Sequence, residues 1–116
     1  MKDFKKLIVW QKSMALVKDI YLLSKLLPQE EKYGLISQIT RAAISIPSNI
    51  AEGSSRHSAK DFKRFLEIAL GSSFELETQL LLIRELELID KELTLIVERT
   101  CEVQKILQGL MSKLIK

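Results

Sequence analysis

The sequence predicts an all-α fold: a single domain over residues 1–116, built as an antiparallel up-down bundle of four helices. Three observations predict it. Apolar residues recur at three- and four-residue spacing almost from end to end. The 116 residues include only four glycines and two prolines. The helix start and stop signals that do occur divide the chain into four stretches of helical length, roughly 8–27, 29–52, 59–88 and 91–114. With 47% hydrophobic and 28% charged residues, the composition is that of an ordered globular chain, long enough to hold a core without a disulfide or a metal.

In the first stretch Trp10, Met14, Val17 and Tyr21 share one helix face, while Leu16, Ile20, Leu23 and Leu27 line an adjacent one. That is a wide apolar sector. Pro28 suits a helix's first turn, and Glu30 and Glu31 behind it complement the positive end of a helix dipole, so a second helix is expected from residue 29. Its stripe is Ile36, Ile39, Ala43, Ile46 and Ile50; Pro47 is expected to kink or divide it, and Gly53 to stop it. Ser58 and Asp61 have capping-box spacing and set the start of the third helix near Ala59. There Phe62, Leu66, Ala69, Ser73, Leu76, Leu80 and Ile83 keep a heptad-like rhythm. Gly71 and Ser72 sit inside that rhythm, and a glycine retained there predicts a tight helix crossing. Asp90 is the expected cap of the fourth helix, with Leu93, Ile96, Thr100, Val103, Leu107, Leu110 and Leu114 as its stripe. Leu70, Phe74 and Leu81 fall off the main stripe of the third helix. Together with the Trp10 face they exceed what one small core uses, so contact with another subunit is expected through Trp10, Gly71, Ser72 and Phe74.

Net charge is +3, a mild excess whose distribution says more than its size. Lys2, Lys5, Lys6, Lys12, Lys18 and Lys25 dominate the first 28 residues, whereas Glu75, Glu77, Glu85, Glu87 and Asp90 outnumber Arg84 between 72 and 90. Helix faces of opposite sign packed side by side account for this segregation. Gln38, Arg41, Ser45, Asn49 and Glu52 recur every three or four residues as a polar ridge on the second helix. Structurally, Ser45 and Asn49 could satisfy carbonyls around Pro47, and Glu52 could pair with Arg41 or with a cation elsewhere. Functionally, Arg41 could join Arg56, His57, Lys60, Lys63 and Arg64 in a patch for phosphate oxygens. With no aromatic residues interleaved, such a patch reads nucleic-acid backbone and not bases.

Several blocks resemble one family. Phe4, Leu7, Val9-Trp10-Gln11, Pro28, Glu31, Tyr33-Gly34-Leu35, Gln38, Arg41-Ala42-Ala43, Ser45-Ile46-Pro47 and Asn49-Ile50-Ala51-Glu52-Gly53 are similar to the bacterial four-helix-bundle proteins encoded in intervening sequences of large-subunit ribosomal RNA genes. The resemblance continues through Phe62, Phe65-Leu66, Ile68-Ala69, Gly71-Ser72 and Glu75. It implies a ring or barrel of five subunits with a basic surface toward RNA or DNA. A sister group resembles the accessory proteins of diversity-generating retroelements, which implies a reverse transcriptase as an alternative partner.

Catalytic signatures are missing from the sequence. His57 is the only histidine, so neither a di-iron bundle nor a zinc site can be assembled in the usual way, and no cofactor is expected. Cys101 stands beside Glu102 and reads as buried filler. Without a leader or a long apolar run, a cytoplasmic setting with no membrane partner is expected. A non-enzymatic binder of nucleic acid is the expected function, with a protein-directed adaptor as its alternative.

Overall fold

A computed structural model describes residues 3–114, which form four α-helices and no strand. α1 spans Ile8–Ser24, α2 Ser37–Ser54, α3 Ala59–Glu85 and α4 Thr94–Leu114. Lys2 of the basic N-terminal group lies outside the described residues.

Local chemistry explains each boundary. Before α1, Asp3 accepts from Lys5 N at 3.1 Å and fixes a 3₁₀ turn at Phe4–Lys6; the Phe4 and Trp10 rings meet edge to face at 5.3 Å. α1 ends at Ser24 and not at the expected 27. Its last N–H groups, of Leu26 and Leu27, bond the carbonyls of Leu23 and Ser24, tightening the final turn, and Pro28 forbids Leu27 the α conformation. Helical winding resumes at residue 29 as expected, but in three forms. A 3₁₀ turn at Gln29–Glu31 leads into a π turn at Lys32–Ile36, and regular α2 begins only at Ser37. Pro47 is buried inside α2 without dividing it, while the Asn49 amide donates to the Ser45 carbonyl at 2.8 Å.

Ser58 accepts from Asp61 N at 3.1 Å and opens α3 where its spacing predicts. α3 stops short of residue 88. Glu87 takes a left-handed conformation (φ 52°), and Leu88 N reaches back to Ile83 O at 3.1 Å, closing the last carbonyls. Asp90 is not the cap of α4. That role falls to Glu92, whose carboxylate accepts from Thr94 N at 3.0 Å and from the Thr94 hydroxyl; these two bonds hold its carboxyl below the ordinary glutamate value.

α2 packs against α1 and α3, and α4 against α3 and α1, around a molecule 45 Å long. Leu16, Ile20 and Leu23, then Ile39, Ile46 and Ile50, then Leu66, Leu76, Leu80 and Ile83, then Leu107 are fully buried between them. The apolar stripe of α3 is therefore core throughout. Between α2 and α3, Ser45 bonds Ser72 at 2.8 Å, and farther along Gly53 lies against Phe62 and Phe65. Between α3 and α4, Gln104 bonds Glu77 at 2.8 Å; between α1 and α4, Asp19 meets Arg99 at 2.7 Å and Lys12 meets Glu102 at 3.2 Å.

The glycines correct the sequence reading. A Cβ on Gly71 would meet nothing within 4 Å, so no helix of this chain crosses tightly there. The close approach is at Gly53, which lies inside α2 and is not a left-handed stop. Gly71→Ala should consequently raise stability by about 1 kcal/mol, the difference in helix preference alone. Thermal unfolding checks this, with a rise of about 4 °C expected.

Candidate nucleic-acid interface

The α2–α3 connection gathers Arg56, His57, Lys60 and Arg64 as exposed side chains and Lys63 as a half-buried one. Two of these cations are already engaged. Arg56 pairs with Glu52 at 2.7 Å and lies over the Phe65 ring at 4.7 Å, and Lys63 is 4.0 Å from Glu67. Such exposed pairs are weak, and the ring contact holds the guanidinium in place. Lys60 and Arg64 make no ion pair among the described residues.

Arg41 does not belong to this cluster. It lies about 20 Å away along α2 at 1.5 Å per residue, and Glu52 turns to Arg56 instead of to it. Arg41 instead lines a polar groove of about 510 Å³ between α2 and α3, with Tyr33, Gln38, Ser45, Ser72 and Glu75. The polar ridge thus divides by function. Gln38 and Arg41 face the groove, Ser45 and Asn49 form a linked set with Ser72 across the helix seam, and Glu52 serves the basic end. Ser45 and Ser72 account structurally for two signature residues, and the carbonyl that Asn49 satisfies is that of Ser45.

The groove was only partly legible. Tyr33 and Glu75 belong to the signature blocks, yet their meeting depends on the π turn and on the pairing of α2 with α3, which periodicity does not encode. Buried Gln104 and its partner Glu77 were also missed, because a glutamine on an apolar stripe gives no signal of its partner. Cys101 is half-buried near Glu77, its sulfur 3.7 Å from Oε2, and burial and then the Glu77 charge push the thiol up. That opposes a reactive thiolate. Among the described residues no cluster of three or more His, Cys, Asp or Glu is arranged to hold a metal, and no helix is long and apolar enough to cross a membrane.

Fold and surface together define an all-α four-helix protein with cations concentrated at one helix connection and a separate polar groove. Residues 5–109 match the family model described as 23S rRNA-intervening sequence protein, and the chain belongs to that family. It is similar to a Bacteroides thetaiotaomicron protein of unknown function from the S23 ribosomal protein family. The two are 33% identical over 90% of this chain and 98% of that one, and their structures superpose with a TM-score of 0.83. A comparison with curated proteins gives no match.

Proposed function

We propose that this chain is a non-enzymatic, cytoplasmic RNA-binding protein, an antiparallel up-down bundle that works as a homo-oligomer and holds nucleic-acid backbone through one basic end. The observation that carries the reading is the crowding of Arg56, His57, Lys60, Lys63 and Arg64 around one helix connection. The order of the interhelical contacts supports the antiparallel arrangement. In that arrangement Lys5 and Lys6 come to the same end as the patch, and Lys113 lines a groove with Lys6. Seven lysines and arginines from three segments then face Asp3, Glu52, Asp61 and Glu67, a local excess that attracts phosphate without reading bases.

Two apolar faces support self-association. Met14, Tyr21 and Ile44 stand exposed on α1 and α2, and Phe74 and Leu81 on α3. Different faces meeting head to tail close a ring when the rotation permits, which accords with the five-subunit assembly that the family resemblance implies. The same faces favour the second reading, an adaptor that docks another protein such as a reverse transcriptase.

Arg56→Glu combined with Lys60→Glu tests the first reading. Retention on structured RNA at low salt is expected to fall at least tenfold, and wild-type retention is expected to weaken steeply as salt rises. Light scattering on the eluting protein, with and without RNA, reads the subunit count in the same run. Unchanged retention in the double variant would remove the patch, and loss of a protein partner on Phe74→Glu would favour the adaptor.

A further inference from the structure

The groove between α2 and α3 lies apart from the basic end and has a different chemistry. Tyr33, Gln38, Arg41 and Glu75 make no hydrogen bond or ion pair to any described residue through their side chains, although a guanidinium and a carboxylate line the same concavity. Opposite charges that share a groove without closing on each other are available to a ligand that presents an acceptor to one and a donor to the other. Tyr33 adds an aromatic surface. Its residue is 88% exposed, so the ring is not used for packing, and the Lys32 ammonium, 5.5 Å from the ring centroid, occupies one face only.

The two serines complete the donor set. Asn49 donates to Ser45 Oγ at 3.0 Å, which favours Ser45 as the donor in its 2.8 Å bond to Ser72. The Ser72 hydroxyl proton is then free for the groove. Its polar lining includes Arg41, the Gln38 amide and the Ser37 and Ser72 hydroxyls as donors, and Glu75 as the charged acceptor.

We infer that this groove binds an unpaired guanine base, stacked on Tyr33, with Arg41 donating to O6 and N7 and Glu75 accepting from N1–H and the 2-amino group. Bases taken out of a helix are held in this way, by an aromatic face and by contacts along their edges, and arginine suits the O6/N7 edge of guanine. Adenine keeps only the N7 acceptor: its 6-amino group would face the Arg41 cation, and its N1 lone pair would face the Glu75 carboxylate. Uracil keeps one N–H and one neighbouring acceptor, with a smaller ring to stack. The volume of about 510 Å³ accommodates a base with its sugar. As a base-reading site on RNA this rests on the proposed nucleic-acid function, while the groove's preference for guanine does not.

The test begins with 5′-GMP and 5′-AMP titrated into the full chain and followed by amide NMR shifts. GMP is expected to bind at least tenfold more tightly than AMP, shifting signals from Tyr33, Arg41 and Glu75; Glu75→Ala should abolish the difference, and Tyr33→Ala should weaken both nucleotides. Equal response to both nucleotides would overturn the inference, as would a guanine preference that survives Glu75→Ala or binding undiminished by Tyr33→Ala. Arg56→Glu with Lys60→Glu should leave GMP binding intact while RNA retention falls, which separates failure of the groove from failure of the basic end. Two RNA hairpins that differ only by guanine or adenine in the loop then identify the source. Discrimination between them assigns the groove to RNA, and GMP selectivity without it assigns the groove to the free nucleotide.

Discussion

Gly53→Ala is expected to lower the melting temperature by about 8 °C, against the direction that helix preference alone dictates. Alanine is better than glycine in a helix by about 1 kcal/mol. Here the added Cβ would stand 2.7 Å from Phe65 Cβ, 3.0 Å from Phe62 Cδ1 and 3.4 Å from Phe62 O. A Cβ and a carbonyl oxygen are fixed to the backbone, so relief requires α3 to move away from α2 along their seam. Overpacking of this kind costs about 1–3 kcal/mol; the 2.7 Å approach of two backbone-fixed carbons puts it near the upper end. Less the helix-preference gain, a net loss of about 2 kcal/mol at about 4 °C per kcal/mol gives the stated shift. Thermal unfolding followed by circular dichroism measures it. An unchanged midpoint would mean that the two helices separate freely at this end. Gly71→Ala, on the exposed side of α3, should move the midpoint the opposite way and serves as the internal control.

Leu76→Ala should cost more, about 3 kcal/mol and about 12 °C. Leu76 is fully buried near the middle of α3, so truncation leaves a cavity that neighbouring helices cannot close without disturbing their other contacts. Phe74, two residues away, is exposed in the single chain. Phe74→Ala should therefore leave the midpoint of a dilute sample within about 0.5 kcal/mol of wild type, the range for surface changes. A denaturant series on both variants separates core from surface. Similar midpoints for the two would contradict the assigned face of α3.

Periodicity found the core stripes of α2 and α3 nearly residue for residue, because both helices bury one continuous face. It was less informative wherever two contributions compete. In α1 it found two apolar faces of similar strength, and the structure buries the Leu16, Ile20 and Leu23 face while leaving Met14 and Tyr21 exposed. Capping chemistry was legible at Ser58, where side chain and backbone lie three residues apart. It was not legible at α4, since Asp90 and Glu92 are both plausible acceptors and only the turn geometry selects Glu92. The glycines show the limit most clearly. Their one-letter code is the same, but the reason for Gly53 lies on another helix, and Gly71 faces open space in the single chain. At the candidate site, the basic cluster could be read because its members are neighbours in sequence. The groove joins residues about forty positions apart and could not be assembled from local spacing.

The π turn at Lys32–Ile36 has a consequence for chain length. A π turn holds one more residue than the α-helical winding around it, so the segment behaves as a built-in insertion whose slack is taken up before Ser37. Deleting Gly34 would let the winding become regular and would rotate Tyr33 and the turn before it by about 100°, one residue's share of an α-helical turn, with the connection from α1 taking up the change. Tyr33 would swing away from Arg41 and Glu75 while every helix kept its core stripe. At this point a missing residue would alter the surface more than a substitution would, and it would do so without unfolding the protein.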